Sequence, residues 1–310
     1  MAKVKSVNTS PERGTGKVPV EVVLLVPGRG IEGDGHAGPG SRQVSILAWG
    51  SLEKMRTPGL KPYPGCCGEN IDVDRCVELY SILPGTVLAV GERARLRITG
   101  IGKDNSDGHA DRVIRGNVFP KEGAFAEVLT GGEVRPGDTL NVPRTEGFTA
   151  AVLTVSDSAS RGDYPDESGP AVMNLLNEAG YTVVRYYVEP DEPGLLESRI
   201  AAWCDDGFTD VLFTVGGTGM SVRDITPEVT SNVCSRDVPG IPELMRLKSS
   251  EITSAAWLSR ARCGIRERTL VVNLPGSVKA SVECAGFVLP VLDHALEILR
   301  GDVAHCGSSA

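Results

Sequence analysis

The sequence has no run of about 18 apolar residues, so no membrane-spanning helix is expected. Its first residues, Met1-Ala-Lys-Val-Lys-Ser-Val, lack an apolar signal stretch, and a cytoplasmic protein is expected. Eight cysteines are scattered, with no Cys-x-x-Cys pair. In a reducing compartment they are expected as free thiols rather than a disulfide framework. Positive charge is short in one half. Residues 1–147 carry 19 Lys+Arg against 18 Asp+Glu, whereas residues 148–310 carry 13 against 22. A half with a net charge of −9 is a poor nucleic-acid binder, because phosphate backbones demand a basic field.

What remains is an ordinary apolar content of 41% over 310 residues, enough for two domains with separate cores. A boundary falls at Val142-Pro-Arg-Thr-Glu-Gly147, where short turn-rich runs give way to alternating strands and helices. Two domains are expected, 1–145 and 148–300, with 301–310 a flexible tail. The first half reads as a β-rich barrel or irregular sandwich, with strands at 18–26, 87–90 and 95–99 between Gly/Pro turns. Two glycine-rich loops, 27–40 and 57–68, are long enough to suggest function.

The second half reads as α/β. Strands are expected at 150–155, 182–188, 211–215 and 269–273. A helix from Ser168 carries Val172, Leu175, Leu176 and Ala179 on one face. Another places Leu196, Ile200 and Trp203 in register, a helical region spans 241–258, and the last helices run to 299. Such alternation implies a mainly parallel sheet with helices on both faces. The 211–215 strand opens into Gly216-Gly217-Thr218-Gly219, whose backbone can turn sharply and bring N–H groups close to an anion. Arg223 and Asp224 follow. Exposed amides, a guanidinium and a carboxylate able to hold a divalent cation suit a phosphate site using Mg²⁺. Ser156-Asp157-Ser158, Asp191-Glu192 and 273–277 also follow predicted strands, at the edge where open parallel sheets bind ligands. Asp224 could instead cap a helix. Asp191 could be an ordinary turn residue, and Arg260 a surface ion-pair partner.

These residues resemble the molybdopterin adenylyltransferase family, the MogA/MoaB type also found as a domain of gephyrin. The matching motifs are Thr-Val-Ser-Asp-Ser-x-Ser-Arg-Gly at 154–162, Asp-x-Ser-Gly-Pro at 166–170, Gly-Gly-Thr-Gly at 216–219 and Arg-Asp-Ile-Thr-Pro-Glu at 223–228. Pro-Glu-Leu-Met-Arg at 242–246, Ser-Arg-Ala at 259–261 and Asn-Leu-Pro-Gly-Ser at 273–277 continue the match. The resemblance implies that the phosphate of molybdopterin attacks the α-phosphate of ATP, giving adenylyl-molybdopterin and pyrophosphate. It implies Asp191 and Asp224 as catalytic, metal-holding carboxylates. Ser156, Asp157, Ser158, Gly216, Gly217, Thr218, Gly219, Arg223, Ser259, Asn273, Pro275, Gly276 and Ser277 are implied to bind the substrates, the last of these on the pterin side. None of these motifs contains histidine, which suits a phosphate nucleophile already ionised near neutrality. A homotrimer is implied, with other molybdenum cofactor synthesis proteins as further partners.

The first half resembles a MOSC domain, through Gly33-Asp-Gly-His-Ala-Gly38, Arg42-Gln-Val-Ser-Ile46, Gly68-Glu-Asn70 and Lys121-Glu-Gly-Ala-Phe-Ala126 to Gly137-Asp138. It implies binding of the molybdenum cofactor through His36, Arg42, Gln43, Glu69 and Asn70, or sulfur carriage on a cysteine. Many relatives place that cysteine in the segment after strand 95–101. Here Lys103-Asp-Asn-Ser-Asp-Gly-His109 has none, and Cys66 and Cys67 are the substitutes nearest a motif. Two rival readings stand beside the enzyme: a non-catalytic cofactor carrier, and a sulfur carrier acting through the first domain.

Overall fold

The computed structural model describes residues 2–74, 77–102, 118–143 and 147–301. The chain divides into two compact units, Met1–Pro143 and Arg144–Ala310. The segment 103–109, residues 144–146 of the expected linker, and the tail beyond Gly301 lie outside the described residues. Among the described residues no helix is long and apolar enough to cross a membrane.

The first unit runs β1 (Ala2–Thr9), β2 (Val18–Val20), β3 (Val23–Val26), β4 (Gly30–Ile31), β5 (Val44–Ala48), α1 (Trp49–Glu53) and β6 (Ile71–Val73). It continues through β7 (Val87–Val90), β8 (Ala94–Ile101), α2 (Phe119–Glu122), β9 (Ala124–Thr130), β10 (Gly132–Val134) and β11 (Thr139–Asn141). The order β11-β7-β8-β9-β5-β6-β1 is closed by pairing of β1 with β11, where Ala2 faces Leu140. The result is a closed barrel, antiparallel apart from the β5–β6 pair. β1 shows the period of two that this demands: Ala2 and Val4 are buried, Lys3 and Lys5 exposed. The expected strand over 18–26 is two strands. β2 pairs with β1, whereas β3 joins β10 and β4 in a separate small sheet. Pro19, which cannot donate to a ladder, sits on the short outer strand β2.

The second unit holds β12 (Thr149–Val155), α3 (Asp157–Arg161), α4 (Ser168–Glu178), β13 (Thr182–Glu189), α5 (Pro193–Asp205), β14 (Val211–Val215) and α6 (Thr226–Val233). It then holds β15 (Arg236–Asp237), α7 (Gly240–Ser250), β16 (Cys263–Arg266), β17 (Thr269–Leu274) and α8 (Val278–Arg300). The sheet order is β13-β12-β14-β17-β16-β15. The first four strands are parallel; β16 and β15 extend the sheet antiparallel. The sheet is therefore mixed, not simply parallel. β12 and β14 are buried throughout, as strands covered on both faces must be. Ala151, Leu153 and Val155 pack with Leu196, Ile200 and Trp203 of α5 and Val229 of α6, while α4 packs against α8.

Two local expectations differ. The helix expected over 241–258 ends at Ser250 and is followed by a separate 3₁₀ turn, Ser254–Leu258, which leaves Trp257 and Leu258 exposed. The polar loop at 156–162 contains α3, capped by Ser156, whose Oγ accepts from the Ala159 N–H at 3.3 Å.

Candidate active site

The four parallel strands end side by side, and each carboxyl end delivers polar residues. β12 leads to Ser156, Asp157 and Ser158, β13 to Asp191, β14 to Gly216 and Gly217, and β17 to Pro275, Gly276 and Ser277. Asp157, Asp191, Gly217, Asp224 and Ser277 line one cleft of about 720 Å³, with Ser156, Ser158 and Gly216. A second, more apolar cavity of about 570 Å³ is lined by Met245, Ile252, Leu258 and Cys284, with Thr218, Gly219, Ser259 and Pro275. Gly217, Asp224, Gly276 and Ser277 line both.

Backbone chemistry fixes the turn between them. Gly217 adopts a left-handed φ of +61°, and a Cβ there would lie 2.3 Å from Thr226 Oγ1 and 3.1 Å from Asp191 Oδ1. Gly216, at φ +111°, would meet the Val155 carbonyl at 2.4 Å. A side chain at Gly216 would displace the end of β12, and one at Gly217 the Thr226 hydroxyl that opens α6.

The two strand-end aspartates lock together. The Asp157 N–H donates to Asp191 Oδ2 and the Asp191 N–H to Asp157 Oδ1, both at 3.1 Å. Asp191 is thus more than a turn residue: it joins the ends of β12 and β13. Burial raises its carboxyl above the ordinary Asp range, and the charges of Asp157 and Asp224 add to the rise against the Asp157 amide and Arg223. Burial also raises Asp157, but the Arg223 guanidinium and the Asp191 amide outweigh it and the net shift is downward. Arg223 does not line the cleft. It forms a forked pair with Asp157 at 2.8–3.0 Å and reaches Glu192 at 3.2 Å.

Asp224 accepts from the Ser221 N–H at 2.8 Å. It does not cap α6, whose N-cap is Ile225 without a side-chain bond. Its loop is held by Arg260. That guanidinium donates to the carbonyls of Gly219 (2.7 Å) and Asp224 (2.5 Å) and pairs with Glu228. The arginine is more than a surface ion-pair partner, because it sets the path of the segment carrying Asp224.

Asn273, like Arg223, is an expected substrate contact that stands apart from the cavities. It is fully buried and lines neither cavity. Its Nδ2 donates to Thr214 Oγ1 (2.9 Å) and Thr230 Oγ1 (2.8 Å), and its Oδ1 accepts from the Arg262 N–H (3.1 Å). These bonds tie β17 to β14, α6 and the residue that leads into β16, so Asn273 supports the sheet edge from within. Asp166, which opens the matching motif at 166–170 but was given no role of its own, belongs to the site. It lines the cleft and accepts four bonds, from Thr154 Oγ1 (2.6 Å), Tyr186 Oη (2.7 Å) and the N–H groups of Ser168 (3.0 Å) and Gly169 (3.2 Å). Ser168 Oγ in turn donates to the Gly276 carbonyl at 2.8 Å. Asp-x-Ser-Gly-Pro ahead of a helix is a capping signature, and that was the available signal.

The lining favours a cation between protein and phosphate. Asp157, Asp166, Glu167, Asp191 and Asp224 line the cleft, and Arg161 is the one basic residue lining it among those described. A triphosphate would be repelled there without added positive charge. Among the described residues no group of three or more His, Cys, Asp or Glu is arranged to hold a metal by itself. Asp191 and Asp224 fit instead a Mg²⁺ bound through one or two carboxylates plus substrate phosphates.

In the first unit the expected cofactor contacts are mostly turned inward. Glu69 is fully buried and accepts from the N–H groups of Gly65 (2.7 Å) and Cys67 (2.9 Å). Asn70 is bonded to Asn8, Asp34 and Ser45. Gln43 donates to the Gly40 carbonyl (2.8 Å) and accepts from the Val128 N–H (2.9 Å). These three are buried and bonded within the first unit. Arg42 is exposed, its guanidinium 5.0 Å from the Phe125 ring centre. The His36 ring is 46% exposed with Nδ1 3.5 Å from Asp34, and burial with Lys17 nearby lowers its pKa.

Comparison with known proteins matches residues 151–294, wholly in the second unit, to a family described as a probable molybdopterin binding domain. A molybdopterin adenylyltransferase of Helicobacter pylori is 40% identical over 153 residues, covering 49% of this chain and 87% of that protein. Molybdenum cofactor biosynthesis protein B of Bacillus subtilis is 36% identical over 154 residues, covering 49% and 89%. The Drosophila melanogaster molybdenum cofactor synthesis protein cinnamon is 37% identical over 160 residues, covering 51% of this chain and 27% of that one. Through residues 151–294 the chain belongs to this family of molybdenum cofactor biosynthesis proteins, which includes molybdopterin adenylyltransferases.

Proposed function

We propose that the second unit transfers the adenylyl group of ATP to the phosphate of molybdopterin. A phosphate oxygen of the pterin attacks the α-phosphorus, the bond to the β-phosphate oxygen breaks, and pyrophosphate leaves. The observation that carries this reading is the pair of cavities sharing Gly217, Asp224, Gly276 and Ser277. The polar one, with Ser156, Ser158 and the 216–217 amides, suits phosphates. The apolar one, rimmed by Ser259, Pro275 and Ser277, suits the flat pterin. Their junction is where the two phosphates would meet.

The nucleophile is a phosphate monoester, already ionised, so no general base is needed. Alignment and charge neutralisation then carry the rate. Asp191 and Asp224 would hold Mg²⁺, which when bound neutralises phosphate charge. Asp157 keeps Asp191 in place through the paired amide bonds, and Arg260 does so for the Asp224 loop. Asp166, through Ser168, fixes the Gly276 turn. The test is to incubate the full chain with ATP, Mg²⁺ and molybdopterin. Pyrophosphate and an adenylylated pterin should appear together. Molybdopterin binding without pyrophosphate would favour the carrier reading.

For residues 1–143 we propose binding of the same anionic pterin, as the MOSC resemblance implies, with the exposed Arg42 and His36 as contacts. We also propose self-association through the second unit, as a trimer. Val222 is 98% exposed and Trp257 59%, apolar side chains that association would cover. A light-scattering mass near 32.8 kDa at micromolar concentration would rule this out.

A further inference from the structure

The barrel contains a cluster of soft donors that the adenylyl-transfer reading does not use. Cys66 Sγ lies 4.0 Å from Cys67 Sγ, and Cys67 Sγ lies 3.6 Å from Met55 Sδ. Metal–sulfur bonds of about 2.3 Å place the sulfurs of a trigonal three-sulfur site about 4 Å apart. We propose that Cys66, Cys67 and Met55 form a binding site for a thiophilic monovalent cation, with Cu(I) as the fitting ion.

Three features support it. First, the loop is already shaped. The Cys66 N–H donates to the Tyr63 carbonyl (3.1 Å) and the Gly68 N–H to the Gly65 carbonyl (3.0 Å). Glu69 clamps the loop from beneath through the amides of Gly65 and Cys67. Second, the surroundings exclude hard ligands. Cys66 and Met55 pack with Leu47, Leu52 and Phe119 in one apolar cluster, and both Glu69 oxygens are already engaged. Thiolate and thioether donors in such a setting select Cu(I) over harder ions. Third, the charge balances. A monovalent cation that replaces one thiol proton, released to solvent, leaves the net charge of the buried site unchanged. The metal enters and stays as Cu(I), with no change of oxidation state.

The test uses the full-length, reduced protein under anaerobic conditions, titrated with Cu(I) held by bicinchoninate. One Cu(I) per chain should be withdrawn from the chelator, and X-ray absorption should show three sulfurs. Affinity should fall more than about 100-fold in Cys66→Ser/Cys67→Ser and about 10-fold in Met55→Leu, which conserves volume. Bound Cu(I) should protect Cys66 and Cys67 of the unmodified protein from iodoacetamide, as mapped by mass spectrometry. This last measurement decides the matter if the double variant fails to fold. Cu(I) uptake that leaves Cys66 and Cys67 open to alkylation, or an affinity unchanged by Met55→Leu, overturns the site.

Discussion

The two units carry similar raw material and orient it in opposite ways. Each has a glycine-rich segment, carboxylates and side-chain amides next to strands. In the first unit, Asp34, Gln43, Glu69 and Asn70 are buried, their partners being the backbone, Lys17 and, for Asp34 and Asn70, each other. In the α/β unit, Asp157, Asp191 and Asp224 line an open cleft, with glycines where a Cβ would collide. The difference lies in where the fold places the motif. The carboxyl edge of a parallel sheet gathers loops around a crevice. In the first unit the polar groups are buried and act as internal ties.

The comparison can be broken first at the buried ion pair. Lys17 and Asp34, 2.7 Å apart, have side chains only 2% and 3% exposed. Lys17→Met should cost the barrel about 3–5 kcal/mol at neutral pH in denaturant unfolding, because it leaves a buried carboxylate unpaired. The pH dependence has a definite sign. Burial raises Asp34, but Lys17 and the amides of His36 and Ser10 bring it below its ordinary value. A depressed carboxyl stabilises above its unfolded pKa, and that stability is lost as pH falls through the folded pKa. The deficit of the variant should therefore shrink in that acidic window. A deficit that grows there would contradict the assignment.

Asp224→Asn should behave in the opposite manner. Adenylyl transfer should fall by about 10²-fold or more, the effect of removing one preorganised charge. Unfolding should be nearly unchanged, since the carboxylate accepts a single partly exposed amide, from Ser221. Full activity in this variant would remove Asp224 from the site.

Asn273→Ala sharpens the contrast within the second unit. It would strand the hydroxyls of Thr214 and Thr230 and the Arg262 N–H, costing about 1–3 kcal/mol of stability. The folded fraction should keep most of its turnover. A loss as large as that of Asp224→Asn, with stability intact, would restore Asn273 to substrate binding. The smallest effect is expected from deleting the barrel. A fragment of residues 148–310 should be soluble and consume ATP with molybdopterin at close to the full-length rate. Activity confined to the intact chain would mean that the first unit completes the site.

Which parts were legible in the sequence follows from these same residues. Val211–Val215 is an apolar run ending in glycines, so both the strand and the sharp turn after it could be read directly. Asn273 could not be placed, because its strand position says it is polar but not which way its amide points. The β16 strand, Cys263–Arg266, was missed because glycine interrupts it and arginines flank it. Its ladder to β17 is a tertiary fact. In the first unit, residues in short motifs next to glycines looked like ligand contacts. Only the tertiary packing of the first unit decides that Gln43, Glu69 and Asn70 are buried.

The closure of the barrel also orders events in time. β1 is seamed on one edge to β6, and on the other its first residues meet β11, so that Ala2 waits for Leu140. Ribosomes deliver roughly 5–20 residues each second, so part of this edge stays unpaired for about ten seconds while the rest of the barrel is made. Unpaired strand edges invite other chains. The lysines at positions 3 and 5, exposed in the finished barrel, are the gatekeepers a nascent edge needs during that interval. A chain cut short of residue 139 would be an open sheet with its seam unmet, rather than a smaller barrel.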